Sequence, residues 1–322
     1  MNILILSAGT RTKVVEYFVR EMRGEGKVIC ADMSRLAPAI YAADKYYIVP
    51  PIAQDDYIDV VLDICRRENI GGVFSLIDPE LSLLAKNADR FEAAGVTVCC
   101  SDYDLCEMSL NKMKMYEFLR SRGIKCAESY VDKQAFYRDS EQKKTDFPVI
   151  IKPVCGSASS FVRKISSRQA LEYEFSARDD LMIQRFLSGE EIGADVYIDG
   201  ISGETVSIFT KKKLLMRAGE TDKAVSFIDE KLNELIKKFV AAAGYRYMID
   251  IDIFLVDGEY YISEVNPRFG GGYPHAHECG CNHVAYLINN LCGRRNTPHI
   301  GEYAEGVYMM KYNEIKILKE SI

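Results

Sequence analysis

Residues 250–268 read DIDIFLVDGEYYISEVNPR, and this stretch predicts a β-hairpin with polar side chains gathered at one end. Two strand-like runs, 248–256 and 259–265, flank the dipeptide Asp257-Gly258. An Asp-Gly pair between alternating apolar residues is a strong signal for a two-residue hairpin turn. The segment therefore predicts two antiparallel strands joined by a tight turn.

Three oxygen-bearing side chains lie where this hairpin could bring them together. Because successive side chains of a strand point to opposite faces, the short turn can place Asp252 opposite Glu264, with Asn266 just past the strand end. Such a set suits Mg²⁺, and Arg268 follows beside any phosphate bound there. The alternative interpretation is a half-exposed hairpin with solvated polar positions, although acidic residues are disfavoured inside strands.

A second segment could contact phosphate. The apolar strand 149–151 ends at Lys152, whose compact cation can reach a phosphate group. The loop 156–160 follows, and glycine and small hydroxyl residues let backbone N–H groups approach phosphate oxygens. By itself the pattern is equally typical of an ordinary glycine-containing hairpin.

A third segment, residues 182–191, reads as a strand that leaves the core into an extended connector. Free backbone donors and acceptors of such a connector could bind the edge of an adenine ring. Glu191 could bind ribose hydroxyls. Alone this pattern is weakly diagnostic, because the Gly-Glu-Glu sequence is common in loops.

The order and spacing of these segments resemble the ATP-grasp superfamily over residues from about 107 to 268. Within it, the chain looks similar to stand-alone proteins that resemble one synthetase half of the carbamoyl-phosphate synthase large subunit. Residues 264–268 resemble the E-x-N-P-R signature. The resemblance implies that Asp252, Glu264 and Asn266 bind magnesium (or manganese) ions, although many relatives have Gln or Glu at the position of Asp252. It also implies that Arg268 grips the transferring phosphoryl group.

The resemblance further implies an ATP site. Its expected members are two lysines on the phosphates, a loop over them that is poorer in glycine than usual, an adenine contact and a ribose contact: Lys112, Lys152, Gly156, Ser157, Ser159, Gln184, Arg185, Phe186, Leu187 and Glu191. The adenine contact is assigned to Gln184 with the main chain of Arg185 and Leu187. Asn111 stands where the family has Asp, so we expect a weaker contact at that helix start.

Substrate residues are expected in three further stretches, 76–81, 211–221 and 270–274. The candidates that they supply are Asp78, Glu80, Lys213, Arg217, Gly271 and Tyr273. The stretch 211–221 resembles a substrate-facing connector, and a solvated charged turn is the alternative. The glycine run suits a flexible substrate loop, but glycines also simply permit turns. The histidines at 275, 277 and 283 favour a structural or substrate-loop role over a transition-metal site.

The wider chain predicts an α/β lobe followed by an α+β region. Strands and helices alternate over the first hundred residues, which indicates a Rossmann-like parallel sheet. The first turn lacks the glycines of a dinucleotide fingerprint, which disfavours an NAD-dependent oxidoreductase. We expect a Rossmann-like domain over 1–106 and an ATP-grasp fold with two antiparallel-sheet lobes, 107–186 with the phosphate loop and 187–322 with the metal site.

Composition limits the partners. The 322 residues carry a net charge of −6, and a nucleic-acid binder usually has a basic face, so we expect no nucleic acid. No apolar run approaches the ~18 residues of a membrane span. The ten cysteines include no C-x-x-C pair, which favours reduced thiols in the cytoplasm. A homodimer is common among resembling proteins.

The predicted function is an ATP- and Mg²⁺-dependent ligase. It would activate a small carboxylate, with amino acids among the candidates, as an acyl phosphate and join it to an amine or other nucleophile. One alternative is carbamoyl-phosphate-synthase-like phosphorylation of bicarbonate or carbamate. Another is a non-catalytic ATP-binding regulatory protein, against which the complete phosphoryl-transfer set argues.

Overall fold

The computed structural model describes residues 1–156 and 161–319. The N-terminal lobe is a five-stranded parallel sheet of order β3-β2-β1-β4-β5. Its elements are β1 (Asn2–Leu6), α1 (Thr12–Met22), a 3-10 helix (Pro38–Ala42) after β2 (Val28–Asp32), β3 (Lys45–Ile48), α2 (Tyr57–Arg67), β4 (Ile70–Ser75), α3 (Asp78–Lys86), α4 (Ala88–Glu92) and β5 (Thr97–Val98). This confirms the predicted Rossmann-like lobe.

The direction in which strands are added reverses between β1 and β4. In open parallel sheets, ligands bind in the crevice at the carboxyl ends of the strands flanking such a point. Arg11 follows β1 and Asp78 follows β4, so both residues lie at this crevice.

The next lobe is a four-stranded antiparallel sheet of order β6-β9-β7-β8. Its elements are α5 (Tyr103–Leu110), α6 (Lys112–Ser121), β6 (Ser129–Tyr130), α7 (Lys133–Glu141), β7 (Val149–Pro153), β8 (Arg163–Ile165), α8 (Arg168–Ala177) and β9 (Leu181–Arg185). The expected weak start of α6 is wrong. The Asn111 side chain caps the helix by accepting hydrogen bonds from the Met113 and Lys114 N–H groups at 3.1 and 3.0 Å, because Asn is as good an N-cap as Asp.

The third lobe is a six-stranded antiparallel sheet of order β14-β13-β10-β11-β12-β15. Its elements are β10 (Glu190–Ile198), β11 (Thr205–Arg217), β12 (Glu220–Phe227), α9 (Glu230–Ala243), β13 (Tyr247–Val256), β14 (Glu259–Asn266), α10 (Tyr273–Glu278), α11 (His283–Leu291) and β15 (Tyr308–Met310). The stretch 211–221 comprises the end of β11, which continues to Arg217, and the turn back into β12.

Two shared cores join the lobes. Alternate residues of β13, including Ile249 and Ile251, pack with α9 and also with Leu119 of α6. Phe18 and Phe74 of the first lobe contact Phe269 of the third, with ring centroids 5.9 and 5.7 Å from it. The three sheets fall within the three predicted domains, whereas α5 crosses the boundary at residue 106, and the domain limits stay a prediction. No helix in the described residues is both long and apolar enough to cross a bilayer.

Asp199 links the turn after β10 to the end of α11. Its side chain has no exposed surface. One carboxylate oxygen accepts from the Ser202 N–H at 2.8 Å, and the other accepts from the Asn290 and Asn296 side chains at 2.7 and 2.9 Å. Burial raises the pKa of Asp199, but these hydrogen bonds outweigh burial and hold the pKa below its usual range.

We predict that Asp199→Ala lowers the free energy of unfolding by about 2–4 kcal/mol, because several buried donors lose a charged acceptor. Since the folded-state pKa is depressed, the wild-type contribution is present above the unfolded-state pKa of about 3.9 and is lost as the pH falls below it. Urea denaturation from pH 7 to pH 3 measures both effects. The exposed Asp55→Ala is the control, and an equal loss in the two variants at pH 7 would contradict the prediction.

Candidate active site

The hairpin of β13 and β14 has the predicted register. Asp252 pairs with Glu264, and Asp250 pairs with Asn266. Asp257 and Gly258 both have positive φ, 51° and 76°, as a two-residue type I′ turn requires. The polar ends of the two strands therefore meet at one place.

Two adjoining cavities lie on this polar side. The first has a volume of about 290 Å³ and lies between the second and third lobes. The other, called the second cavity, has a volume of about 190 Å³ and reaches the crevice of the first lobe. Asp252, Glu264 and Lys213 line both cavities. The two carboxylates predicted to bind metal therefore lie at the boundary between the cavities.

All described residues predicted for ATP line the first cavity: Lys112, Lys152, Gly156, Gln184, Arg185, Phe186, Leu187 and Glu191. Ser157 and Ser159 lie outside the described residues. The backbone N–H of Arg185 donates to the Glu128 carbonyl at 2.8 Å and is not available to an adenine ring. A contact of adenine with the Arg185 main chain through its carbonyl stays a prediction.

The two lysines of the first cavity differ in their surroundings. Lys152 is 7% exposed. Burial lowers its pKa, and the nearby Glu264 carboxylate opposes the change only in part. Lys112 donates from Nζ to the Gly156 carbonyl at 2.5 Å and from its backbone N–H to the Val154 carbonyl at 2.9 Å. Lys112 thus fixes the start of the predicted phosphate loop.

An ion pair between Lys213 and Asp252 crosses strand β10. The lysine passes over Gly193, where an added Cβ would lie 3.1 Å from Lys213 Cε. Burial lowers the pKa of Lys213, but Asp252 and Asp250 outweigh burial and raise it. Lys213 pairs with the Oδ1 atom of Asp252, so the Oδ2 atom is the oxygen of Asp252 that could bind a metal ion.

The donor set fits magnesium. Asp252, Glu264 and Asn266 supply two carboxylates and one amide oxygen, and Mg²⁺ prefers a few such oxygens with phosphate and water. Among the described residues there is no group of three His, Cys, Asp or Glu side chains arranged to hold a metal. Mg²⁺ commonly takes its remaining ligands from phosphate oxygens and water.

Arg268 lies between carboxylates in the second cavity. Its Nε donates to Asp78 Oδ2 at 3.1 Å, and its Nη1 lies 3.8 Å from Asp250 Oδ2. Burial lowers the pKa of Arg268, and the two aspartates outweigh burial and raise it. Burial raises the pKa of Asp250 to about 6, with Asp252 adding to the effect.

The glycine run 270–272 allows close approach of charged groups. A Cβ at Gly270 would lie 2.5 Å from Asp250 Cγ, and a Cβ at Gly272 would lie 2.7 Å from Lys211 Nζ. Lys211 is 1% exposed and pairs with the buried Asp195. The absence of side chains at 270–272 thus lets charged groups pack tightly against the backbone. This role adds to the flexibility that the composition suggests.

Of the six residues predicted to contact substrate, three line the second cavity and three line neither cavity. Asp78, Lys213 and Gly271 line the second cavity. Among the described residues, the other three, Glu80, Arg217 and Tyr273, line neither of the two cavities.

Glu80 is wholly buried and accepts hydrogen bonds from the Tyr57 and Ser75 hydroxyls. Tyr273 is wholly buried with its ring 4.7 Å from that of Phe269. Arg217 is exposed and pairs with Asp222 at 3.4 Å. None of these three side chains lines either cavity, and their contact with substrate stays a prediction.

Sequence reasoning missed Arg11, Glu220 and Asp250, which all line the second cavity. Arg11 binds Glu220 at 2.9 Å, and Lys311 binds the other oxygen of Glu220 at 2.7 Å. The position of Arg11 after the first strand was a usable signal, because that is the edge where such sheets bind ligands.

The three histidines after the hairpin are buried. The His277 ring stacks on Tyr17 with centroids 3.7 Å apart, and a His275 ring nitrogen lies 2.9 Å from the Val307 carbonyl. Burial lowers the pKa of His283 to about 3. These contacts agree with the structural role expected for them.

Comparison with known proteins matches both parts of the chain. The family model of the ATP-grasp domain matches residues 109–272, and that of the PylC-like N-terminal domain matches residues 3–99. The carbamoyl phosphate synthase large chain of Clostridium botulinum is 25% identical over 83% of this chain, which spans 25% of that protein's length. A carbamoyl-phosphate synthase of Methanobrevibacter smithii is 24% identical over 91% of this chain and 82% of its own.

The fold is also found in solved structures. The biotin carboxylase domain of the 2-oxoglutarate carboxylase of Hydrogenobacter thermophilus, solved as a dimer with MgADP, ADP and bicarbonate, superposes with a TM-score of 0.76. It is 15% identical, and the match covers 95% of this chain and 73% of that one. This likeness confirms the predicted fold class.

We predict that Gly272→Ala costs about 1–3 kcal/mol of unfolding free energy, because the added methyl group meets a buried, ion-paired lysine. Gly271→Ala should cost less, since its methyl group meets Arg11 and Glu220, whose side chains are 20% and 40% exposed and can move. Denaturant titration of the two variants measures the difference. Equal losses would contradict the account of the glycine run.

Proposed function

This chain belongs to the ATP-grasp family, and from that premise we propose that it is an ATP- and Mg²⁺-dependent ligase. It activates a small carboxylate as an acyl phosphate and joins it to an amine or similar nucleophile. The observation that carries the proposal is the placement of Asp252 and Glu264 at the boundary of the two cavities. A nucleotide in the first cavity and a carboxylate in the second would meet at this boundary.

Each group of residues in the site has its own role in the proposed reaction. The first cavity takes ATP, with Glu191 on the ribose and with Lys112 and Lys152 on the phosphates. Magnesium held by Asp252, Glu264 and Asn266 supplies positive charge to the phosphate oxygens. Arg268, whose side chain is 12% exposed and lines the second cavity, stabilises the charge that spreads over the transferring phosphoryl group.

The chemistry then proceeds on the carboxylate. A carboxylate oxygen attacks the terminal phosphorus, the bond to the bridging oxygen breaks, and ADP leaves. An amine displaces phosphate from the acyl phosphate and loses a proton.

A second candidate is phosphorylation of bicarbonate or carbamate, as the names of the carbamoyl-phosphate synthase relatives suggest. The chain spans about a quarter of the length of the large chains that it matches, so their whole reaction is not transferred to it. ADP formation that bicarbonate alone stimulates would favour this candidate. ATP binding without ADP formation under any condition would favour a regulatory protein.

Location and assembly are part of the same proposal. All ten cysteines are free thiols, which agrees with a reducing compartment such as the cytoplasm. A homodimer is proposed because the biotin carboxylase domain with the same fold was solved as a dimer. Small-molecule carboxylates and amines are the proposed partners.

We predict that Glu264→Gln lowers Mg²⁺-dependent ADP formation by at least about 100-fold, because it removes a charged ligand at the reacting phosphate. The matched control is Glu259→Gln on the same strand, at the far end of the hairpin, where Glu259 pairs with Lys125 at 3.4 Å. A coupled ADP assay over a magnesium series measures both variants. Unchanged turnover in Glu264→Gln would refute the metal assignment.

We predict that ATP affinity falls as the pH rises through the lowered pKa of Lys152, because its ammonium form contacts phosphate. The fall should begin below the ordinary lysine value of about 10.4. Calorimetric titrations from pH 7 to pH 10 measure it, and Lys152→Met should remove the pH dependence. Lys112→Met should weaken binding but keep that dependence, and a pH profile shared by wild type and Lys152→Met would be inconsistent with this role.

A further inference from the structure

Gln184 lies on the face of the four-stranded sheet that borders the first cavity. In the register of the sheet it is directly opposite Ser129 of β6 on one side and Ile150 of β7 on the other. Side chains directly opposite each other in antiparallel strands point to the same face. Gln184 and Ile150 line the first cavity, whereas the adjacent Ile151 and Ile183 belong to the buried core of this lobe. Ser129 therefore shares the cavity face of the sheet with Gln184.

The hydroxyl group of Ser129 fixes the orientation of the Gln184 amide. Ser129 Oγ donates to the Ala127 carbonyl at 2.9 Å and lies 3.0 Å from Gln184 Nε2. A hydroxyl group has a single hydrogen, and because this one goes to Ala127, the hydroxyl oxygen can only accept from Gln184. The amide oxygen has no hydrogen to donate, so the amide nitrogen must be the end that faces Ser129.

The amide oxygen is the end of Gln184 that remains for a ligand. Among the described residues, the hydrogen bond from Nε2 to Ser129 is the one that the Gln184 side chain makes. Gln184 Oε1 is also not among the enclosed polar atoms that lack a partner, so it keeps accessible surface. A glutamine amide offers a donor and an acceptor of nearly the same shape. Without Ser129, either end of the amide could turn toward the first cavity.

The strand pairing holds the two side chains together in the absence of a ligand. Strand β9 lies between β6 and β7, and the Arg185 N–H donates to the Glu128 carbonyl at 2.8 Å directly beside the pair of Ser129 with Gln184. Ser129 is 3% exposed. The acceptor on the cavity wall is therefore oriented before a nucleotide binds, and a preorganised group loses less conformational freedom on binding.

Purine bases differ in the group that they would present to this acceptor. Adenine carries an amino group at C6, which donates, whereas guanine carries a carbonyl oxygen there, which accepts. Hypoxanthine has the same carbonyl oxygen as guanine and no other substituent. An oxygen on the cavity wall can accept from the amino group but faces the carbonyl oxygen as one acceptor faces another. A site built to bond a substrate N–H group rejects the analogue that lacks it.

We propose that Ser129 is a positioning residue that gives the first cavity its preference for a 6-amino purine over a 6-oxo purine. By holding Gln184 Nε2, Ser129 keeps Oε1 turned toward the base, where the oxygen accepts from the amino group. The inference rests on the proposed function, because that function puts the base of the nucleotide in the first cavity. It adds which neighbour fixes the polarity of the base contact.

The test compares ADP with inosine diphosphate, which carries a carbonyl oxygen at C6 and has no phosphoryl group to transfer in the forward reaction. Calorimetric titration of the full chain with Mg²⁺ gives the ratio of the two dissociation constants. We expect the wild-type chain to bind ADP about tenfold or more tightly than inosine diphosphate. Ser129→Ala should reduce the preference to about threefold or less, because the freed amide of Gln184 can turn its nitrogen to the 6-oxo group.

The ratio separates this role from a merely structural one, which would weaken both nucleotides alike. Ser129→Thr retains a hydroxyl group and should retain the wild-type ratio. Gln184→Met removes the amide, and adding Ser129→Ala to it should change the ratio no further, because Ser129 acts through Gln184. Ser176→Ala is the control, since Ser176 is an exposed residue of α8 that donates to the Tyr173 carbonyl at 2.7 Å.

A wild-type preference below about threefold, or an unchanged preference in Ser129→Ala, overturns the proposal. If Ser129→Ala does not fold, the nearly isosteric Ser129→Cys decides, because a thiol is a weak acceptor and should also lower the ratio. The proposed function is judged separately, by Mg²⁺-dependent ADP formation from ATP. A selective site without turnover would refute the ligase and keep the role of Ser129, turnover at an unselective site would refute only that role, and binding of neither nucleotide would refute both.

Discussion

The pairing of Asp252 with Glu264 across the hairpin of β13 and β14 is the constraint on which the rest of the site depends. A shift of one residue in this register would turn the buried isoleucines of β13 toward the cavities and the acids toward the core. The positive φ values of the turn and the apolar packing against α9 both oppose such a shift. The same contacts that form the core therefore fix the carboxylates at the boundary of the cavities.

Buried charged side chains around this pair are matched by side chains of opposite charge. Lys213 pairs with Asp252, and the buried Lys211 pairs with Asp195 one step further along the sheet. Removing one partner of such a pair leaves a buried charge and is costly. Because Gly193 and the glycines at 270–272 have no side chain, these lysines and aspartates can pack directly against the backbone. The positive and negative side chains in the interior of the site thus balance one another, and binding of one divalent ion can change how they pair.

Local features of the fold could be predicted from the sequence, because their information lies within a few residues. The turn at Asp257-Gly258 and the alternation on either side determine the hairpin register. The second cavity is different, because Arg11, Asp78 and Glu220 come from three distant segments. Their meeting depends on how the first and third lobes pack, through contacts such as those of Phe269.

Local geometry also decides which candidate residues line a cavity. Asp78 and Glu80 are two positions apart on one helix and therefore face different directions, so only one of them can reach the cavity. On β11 and its turn, Met216 and Ala218 line the second cavity, whereas the intervening Arg217 points to solvent. The number of charged residues in a segment does not show which of them face a cavity, because the periodicity of the strand or helix decides that.

The hairpin of β13 and β14 is proposed to hold a metal ion at the boundary between the two cavities. Anomalous diffraction from Mn²⁺, in crystals grown with a non-hydrolysable ATP analogue, tests it most directly. The account predicts a peak within coordination distance of Asp252, Glu264 and Asn266. A peak elsewhere, or no peak beside a bound nucleotide, would contradict it.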